Sequence, residues 1–219
     1  MKPVIVFDLN GTLLDLSALA PSFEALFGDA RIRTEWFSEV LKLALATTAI
    51  GVYADFGRIT REALRIIEKR QRHPLEENQR TELMQKMRSV PPFPDVEDGL
   101  NKLRGAGFQL AVLTNSGLDA ATQALEHAGL KAYFTRVLSA DSAKRLKPAA
   151  EPYQLAAREL GTGVGAVMLV AAHSWDVAGA LAAGCQACFL TRPGQILDEI
   201  TPRPTLVAND LRDLAFKLK

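Results

Sequence analysis

The sequence predicts an α/β fold, in which a doubly wound, Rossmann-like parallel sheet carries an all-helical cap inserted after the first strand. Three features predict it: a short apolar strand near the N-terminus, a long helical block directly after that strand, and alternating helices and strands from residue 96 onward. Such alternation favours parallel strands joined by right-handed crossovers. Ligands of these sheets bind in the crevice at the carboxyl ends of the strands, so we expect the site there.

The first strand, Val4–Phe7, is an apolar run that ends in a polar loop over residues 8–12. Helical periodicity then covers residues 16–27, 34–54, 59–72 and 77–90. Prolines at 91, 92 and 94 end this block, because proline lacks the N–H group that a helix needs. We therefore assign residues 15–91 to the cap and residues 1–14 and 92–219 to the α/β core.

Within the core, helices and strands alternate at short intervals. The predicted helices cover residues 96–104, 119–128, 151–160 and 176–183, and the predicted strands cover 109–113, 136–139, 167–170 and 187–190, with a last strand and helix within 206–219. The sequence thus supplies enough strands for a sheet with helices on both faces.

The composition limits the classes of partner. The 219 residues are 48% hydrophobic, which allows a sizeable core, and the 26 basic residues nearly balance the 25 acidic ones. Without a dense basic block, nucleic acid is not expected, and a small molecule fits better. The most apolar stretch, residues 41–54, contains Lys42 and is too short to cross a bilayer, and the N-terminus has no signal-peptide pattern. We expect a cytoplasmic protein without a membrane partner, with Cys185 and Cys188 as reduced, buried thiols.

Polar residues follow the apolar strands at the points where a parallel sheet would bring them together. They are Asp8 after the first strand, Thr114 and Asn115 after the second, and His173 and Asp176 after a later one. Lys147 lies in a loop between the second and third groups. The pattern predicts one cation facing two carboxylates in the crevice.

These groups resemble the four motifs of the haloacid dehalogenase superfamily. Residues 7–13, Phe-Asp-Leu-Asn-Gly-Thr-Leu, are similar to the first motif, and Thr114-Asn115, Lys147-Pro148 and Asp176 are similar to the second, third and fourth. The motifs occur in order over almost the whole chain, and the helical block matches the cap of many members. The resemblance implies a hydrolase in which Asp8 is the nucleophile and forms an ester with its substrate.

Two positions favour one branch of this superfamily. Phosphatases of the superfamily have a second aspartate two residues after the nucleophile, which protonates the leaving alkoxide, and Asn10 stands there instead. They also place two acids in the fourth motif to help bind magnesium, whereas residues 171–176 supply only Asp176. Ser174-Trp175-Asp176 is most similar to the 2-haloacid dehalogenases, which need no metal. The resemblance therefore implies hydrolytic dehalogenation of a short 2-halo acid without a cofactor, and Mg²⁺ is implied only for the phosphatase alternative.

The resemblance also implies roles for individual residues. Lys147 keeps the Asp8 carboxylate ionised and oriented, and Asp176 is the candidate base for the hydrolytic water, with His173 tuning or sharing that role. Thr12 and Thr114 are candidate hydrogen-bond donors to Asp8 or to substrate oxygens, and the backbone amides of Leu9 and Asn10 are candidates for binding substrate and oxyanion. Asn115 is a candidate for the substrate or halide cradle. Three aromatic side chains are candidates for the pocket lining: Phe37, Tyr153 and Trp175.

Two departures from the family pattern leave alternatives open. Phe37 aligns with the arginine that binds the substrate carboxylate, and Arg33, Lys42 or Arg58 either replace that arginine or form a solvated helix face. His173 stands where asparagine is common, and it is either a proton handler or a buried, hydrogen-bonded side chain. The aromatic residues are either pocket walls or ordinary packing. A catalytically idle binding module is a third functional reading, and the resemblance implies a homodimer that forms through the cap.

Overall fold

The computed structural model describes residues 2–219, and within them six strands form one parallel sheet. The strands are β1 (Val4–Phe7), β2 (Leu110–Thr114), β3 (Arg136–Ser139), β4 (Val167–Ala171), β5 (Gln186–Leu190) and β6 (Leu206–Ala208). Their order in the sheet is β3-β2-β1-β4-β5-β6, and every neighbouring pair is parallel. The predicted fold class is therefore confirmed.

The order of the sheet places a crevice at the ends of β1 and β4. The chain winds outward from β1 through β2 to β3 and then returns to the other side of β1 as β4. The loops after β1 and β4 therefore diverge to opposite faces, and ligands bind at this kind of switch point.

The central strands β1 and β4 are apolar and buried along their whole length because both faces of the sheet are covered there. Side chains of β1 alternate between the two cores: Ile5 and Phe7 belong to one, and Val4 and Val6 to the other. Strands buried on both faces show a continuous apolar run and not an alternating pattern. This explains why β1, β2 and β4 were recognisable in the sequence.

Nine α-helices are described in residues 2–219; some cover the faces of the sheet, and others form the segment between β1 and β2. They are α1 (Ala20–Phe27), α2 (Ile32–Ala49), α3 (Phe56–Gln71), α4 (Glu77–Lys86), α5 (Val96–Gly105), α6 (Leu118–His127), α7 (Ala150–Glu159), α8 (Ser174–Ala182) and α9 (Leu211–Lys217). Helices α1 to α4 are the inserted helical segment, and α5 leads back into the sheet. None of the helices described in residues 2–219 is long and apolar enough to span a membrane.

The predicted helix over residues 34–54 is wrong at its C-terminal end. Helix α2 ends at Ala49, and Gly51 adopts a left-handed conformation with φ of 73°. Glycine reaches that region at little cost, so the chain turns there. Asp55 then caps α3 by accepting a hydrogen bond from the Arg58 N–H at 2.8 Å, so α3 begins at Phe56 and not at residue 59.

Candidate active site

Asp8 lies directly after β1, at the carboxyl edge of the sheet, and is 5% exposed. The Thr12 hydroxyl donates to its Oδ2 atom at 2.7 Å, and the same hydroxyl accepts a hydrogen bond from the backbone N–H of Ala172 at 3.0 Å. The loop after β1 is therefore tied to the end of β4 through one hydroxyl group. This contact fixes the orientation of the Asp8 carboxylate.

The ammonium group of Lys147 lies between two buried carboxylates. Its Nζ atom is 2.9 Å from Oδ1 of Asp8, 2.6 Å from Oδ2 of Asp176 and 2.9 Å from the carbonyl oxygen of Leu113. All three ammonium protons therefore have an acceptor. The predicted arrangement of one cation facing two carboxylates is present.

Asp176 is fully buried at the start of α8 and makes two strong contacts. Its Oδ2 atom accepts from Lys147, and its Oδ1 atom accepts from the Tyr153 hydroxyl at 2.5 Å. Helix α8 can approach so closely because residue 179 is glycine: a Cβ there would lie 2.5 Å from Cβ of Pro148 and 2.7 Å from the Tyr153 oxygen. Gly179 thus lets α8 carry Asp176 up to Lys147.

The second motif positions Lys147 through its backbone. The Asn115 side chain accepts from the Lys147 N–H at 2.8 Å and donates to the Lys147 carbonyl oxygen at 3.3 Å. Asn10 donates to the Ser116 hydroxyl at 3.0 Å, and the Thr114 hydroxyl accepts from the Ser116 N–H at 3.1 Å. These polar side chains hold the loops after β1 and β2 against each other.

His173 borders Asp8 from the β4 side. Its Nε2 atom is 3.0 Å from the Asn10 carbonyl oxygen and 3.9 Å from Oδ2 of Asp8. A carbonyl oxygen only accepts, so Nε2 carries a proton. The ring stacks on Trp175 at 5.5 Å between centroids and 14° between planes, and it contacts Phe37 of α2 at 6.1 Å.

These residues enclose a cavity of about 20 Å³. Its walls are Asp8, Asn10, Phe37, Leu41, Phe56, Thr114, Asn115, Lys147, His173 and Trp175. The volume admits roughly one water molecule. A groove of about 440 Å³ between the inserted helices and the core shares Asn10 and Phe56 with the cavity. The groove and the cavity are therefore neighbours, with Phe56 in the wall of both.

Electrostatics keep Asp8 ionised. Burial alone would raise the pKa of its carboxyl group, but the charge of Lys147 and the hydrogen bonds from Lys147 and Thr12 outweigh it, so the pKa lies below its ordinary value. Burial alone would lower the pKa of Lys147, and the charges of Asp176 and Asp8 instead raise it. The pair is therefore charged at neutral pH.

The pKa values of Asp176 and Tyr153 are raised, whereas that of Asp8 is lowered. Burial raises the pKa of Asp176, and Lys147 offsets only part of that effect. Burial, followed by the charge of Asp176, raises the pKa of Tyr153 well above its usual range, so the hydroxyl stays protonated and donates. Asp176 is consequently the more basic of the two carboxylates.

The structure brings most of the predicted site residues to the cavity. Asp8, Asn10, Phe37, Thr114, Asn115, Lys147, His173 and Trp175 line it, and Thr12 contacts Asp8 directly. Tyr153 and Asp176 do not line it, Tyr153 contacts Asp176, and Leu9 lies on the larger groove. Their expected roles, like those of the cavity residues, stay predictions.

The three basic residues considered as replacements for the family's carboxylate-binding arginine do not line the cavity. Arg33 donates to Thr34, Lys42 pairs with Glu39 at 2.5 Å, and Arg58 lies on a groove at the outside of α3 and α4. Arg33, Lys42 and Arg58 are absent from the cavity walls. The position aligned with the arginine is filled by the Phe37 ring.

Sequence reasoning missed Leu41, Phe56 and Arg192. Leu41 and Phe56 are cavity walls that carry no chemical signal in the sequence. Arg192 follows β5, is 5% exposed, and donates to the Thr12 carbonyl oxygen at 3.0 Å and to Asp95 at 2.6 Å. Its position after an apolar strand was the one signal that pointed to it.

The donor set does not fit a divalent metal ion. Within residues 2–219 no group of three or more histidine, cysteine, aspartate or glutamate side chains is arranged to hold one. The imidazole N–H of His173 takes the place beside the Asn10 carbonyl oxygen and Oδ2 of Asp8, and Lys147 takes the place between Asp8 and Asp176. Magnesium prefers several oxygen ligands in octahedral geometry, and these oxygens are already engaged.

The fold and the site together are those of a hydrolase of the α/β class with a buried carboxylate at the switch point of its sheet. Such a carboxylate, ionised, oriented by a lysine and facing a small cavity, is chemically able to attack an electrophilic carbon or phosphorus centre.

Comparison with known proteins places the chain within that class. Residues 5–190 match the haloacid dehalogenase-like hydrolase family, and the chain belongs to that family. It is 31% identical to an (S)-2-haloacid dehalogenase of Pseudomonas sp. (strain YL) over 95% of this chain and 90% of the relative. It is 29% identical to haloacetate dehalogenase H-2 of Moraxella sp. (strain B), over 91% and 90%.

A solved structure gives the same fold. The structure of L-2-haloacid dehalogenase from Xanthobacter autotrophicus, with chloropropionic acid covalently bound, matches this chain with a TM-score of 0.92. The two sequences are 25% identical, and the match covers 99% of this chain and 98% of the other. The inserted helical segment after β1 is therefore the cap segment of this family.

Proposed function

We propose that this chain hydrolyses the carbon–halogen bond of a short 2-halo acid through an ester on Asp8. The observation that carries the proposal is the Asp8–Lys147 pair at the wall of a small, partly aromatic cavity. Similarity to three 2-haloacid or haloacetate dehalogenases, one of them with a covalently bound acid, supports this substrate class.

The first step forms the ester. A carboxylate oxygen of Asp8 attacks the carbon that bears the halogen, and the halide leaves with the bonding electrons. Halide is the anion of a strong acid and needs no proton, so Asn10 in place of an acid does not impede this step. Lys147 keeps Asp8 charged and oriented for the attack.

The second step hydrolyses the ester. Water adds to the carboxyl carbon of Asp8 while its proton passes to Asp176, whose pKa is raised and which exchanges one of its hydrogen bonds from Lys147 and Tyr153 for one from the water. The bond between that carbon and the product oxygen then breaks, and the product oxygen takes up the proton as a hydroxyl group. The resulting acid form of Asp8 releases its own proton to solvent, which restores the carboxylate.

A panel of substrates tests the proposal against the phosphatase and idle-module alternatives. Chloroacetate, bromoacetate, fluoroacetate and 2-chloropropionate are incubated with wild type and Asp8→Asn in EDTA, and halide is measured. We expect halide release by wild type only. Phosphate release from phosphate esters that stops with EDTA and returns with magnesium would replace the proposal by a phosphatase, and no turnover of any compound would favour an idle module.

A further inference from the structure

Two charged residues of the cavity wall, Asp8 and Lys147, form a cluster with Asp176 behind Lys147, and the sum of the three charges is negative. Asp8 and Asp176 each contribute one negative charge, and the Lys147 ammonium between them contributes one positive charge. A 2-halo acid brings a second anion to within bonding distance of the Asp8 carboxylate. Burial of an uncompensated carboxylate is strongly unfavourable, so the site needs another positive charge when this substrate binds.

Most of the polar groups on the walls are already engaged. Lys147 has its three acceptors, Asn115 is paired with the Lys147 backbone, and Asn10 with Ser116. The other walls include Phe37, Leu41 and Phe56. Among the residues described in 2–219, Lys147 and His173 are the two basic side chains of the cavity wall. His173 is therefore the wall residue that can still gain a positive charge.

The surroundings of His173 suit an imidazolium ion. Nε2 already donates to the Asn10 carbonyl oxygen and faces Oδ2 of Asp8, so both acceptors stabilise the protonated ring. The ring is stacked on Trp175 and contacts Phe37, and aromatic faces attract cations. The charged groups that face His173 are Asp8 and Lys147, with Asp176 one contact further, and α2 presents Phe37 and Leu41, which are uncharged.

We infer that the imidazolium form of His173 binds the carboxylate of the substrate, so that substrate binding takes up a proton. This inference rests on the proposed function. Phe37 of the cap contacts His173 but carries no charge. The inference therefore assigns the positive charge to His173 of the core. The indole N–H of Trp175 is buried without a partner among residues 2–219 and is a second donor at the same wall.

A binding measurement tests this without catalysis. Calorimetric titration of wild type with glycolate, the product from chloroacetate, is run at pH 8 in two buffers of different ionisation enthalpy. We expect uptake of close to one proton per glycolate bound by wild type and close to none by His173→Asn, which keeps an amide donor for Asn10. Equal glycolate affinity of both proteins, or binding by wild type without proton uptake, would overturn the inference.

Steady-state kinetics test the same inference through the pH dependence of KM and through a double variant that restores a low KM. The KM of wild type for chloroacetate should rise at least 10-fold from pH 6 to pH 8.5, and the KM for neutral chloroacetamide should stay constant. His173→Asn should raise the chloroacetate KM much more than it lowers kcat. The double variant Phe37→Arg/His173→Asn, with a permanent cation at the adjoining wall, should restore a low KM that no longer depends on pH.

The outcomes separate the two claims. If wild type releases no halide from any substrate, the proposed function fails, while the glycolate titration still decides whether His173 binds a carboxylate. If halide is released but chloroacetate and chloroacetamide respond alike to pH and to His173→Asn, the proposed function stands and this inference is contradicted.

Discussion

The ammonium nitrogen of Lys147 lies 2.9 Å from Oδ1 of Asp8, although the two residues are 139 positions apart in the sequence. Both side chains are almost completely buried. Burying such a charge pair costs much desolvation, and the pair keeps the Asp8 carboxylate ionised, as the proposed reaction requires. The desolvation of this pair lowers the stability of the fold, and Asp8 stays charged in return.

Removal of the ammonium should damage both stability and turnover. Lys147→Met leaves Asp8 and Asp176 buried without their shared cation, which should lower the free energy of unfolding by about 3–5 kcal/mol. Halide release should fall by about 100-fold or more. Urea unfolding and halide assays measure both. The control Lys102→Met removes an exposed pair with Asp98 and should cost less than about 1 kcal/mol without changing turnover.

The lowered pKa of Asp8 predicts how stability depends on pH. Because the pKa of Asp8 in the folded state lies below its ordinary value of 3.8, its charged form stabilises the fold above that value, and this contribution is lost as the pH falls through the folded-state pKa. The difference in unfolding free energy between wild type and Asp8→Asn should be constant from about pH 5 to pH 8 and should shift in favour of the variant at lower pH. A difference that does not change with acid would contradict the shift.

Loss of the base should stop the reaction after ester formation. Asp176→Asn keeps the shape of the side chain but removes the proton acceptor, so hydrolysis should slow by about 10²–10⁴-fold. Rapid mixing with chloroacetate should then give one equivalent of halide per enzyme, followed by a slow phase. Intact-protein mass spectrometry should show the added acid. Slow halide release without a burst would assign Asp176 to the first step instead.

Gly11 should be required to make room for His173. Its φ is +78°, and a Cβ there would lie 3.0 Å from Nε2 of His173. Gly107 has a φ of +82° and no atom within 4 Å of a Cβ, so it is a matched control for backbone strain. Both alanine variants should lose about 1–2 kcal/mol of stability. Gly11→Ala alone should also raise the chloroacetate KM, and equal KM values would show that His173 tolerates the contact.

Much of the fold was predictable because the central strands are continuous apolar runs that end in polar residues. The bounds of β1 and β3 agree with the prediction; β1 is buried on both faces, and its apolar pattern is therefore unambiguous. The end of α2 was not predictable from periodicity, because the apolar residues continue to Ala54 while Gly51 turns the chain. Local backbone geometry decided that boundary.

The candidate site was predictable where chemistry and strand ends coincide, as at Asp8, Lys147 and Asp176. Contacts across the fold were not. Tyr153 was expected at the substrate and lies against Asp176, because Gly179 lets α7 and α8 pack closely. Arg192, in the loop after β5, donates to the Thr12 carbonyl oxygen, and no local sequence pattern links these two residues. Such contacts depend on the order of strands in the sheet.

One measurement tests the covalent role of Asp8 most directly. Enzyme in excess over chloroacetate completes one turnover in water enriched in ¹⁸O, and the peptide that contains Asp8 is analysed by mass spectrometry. Hydrolysis at the carboxyl carbon of Asp8 puts one heavy oxygen into that side chain and leaves the first-turnover glycolate hydroxyl unlabelled. Heavy oxygen in glycolate with none in Asp8 would mean that water attacks the substrate directly and would contradict the ester.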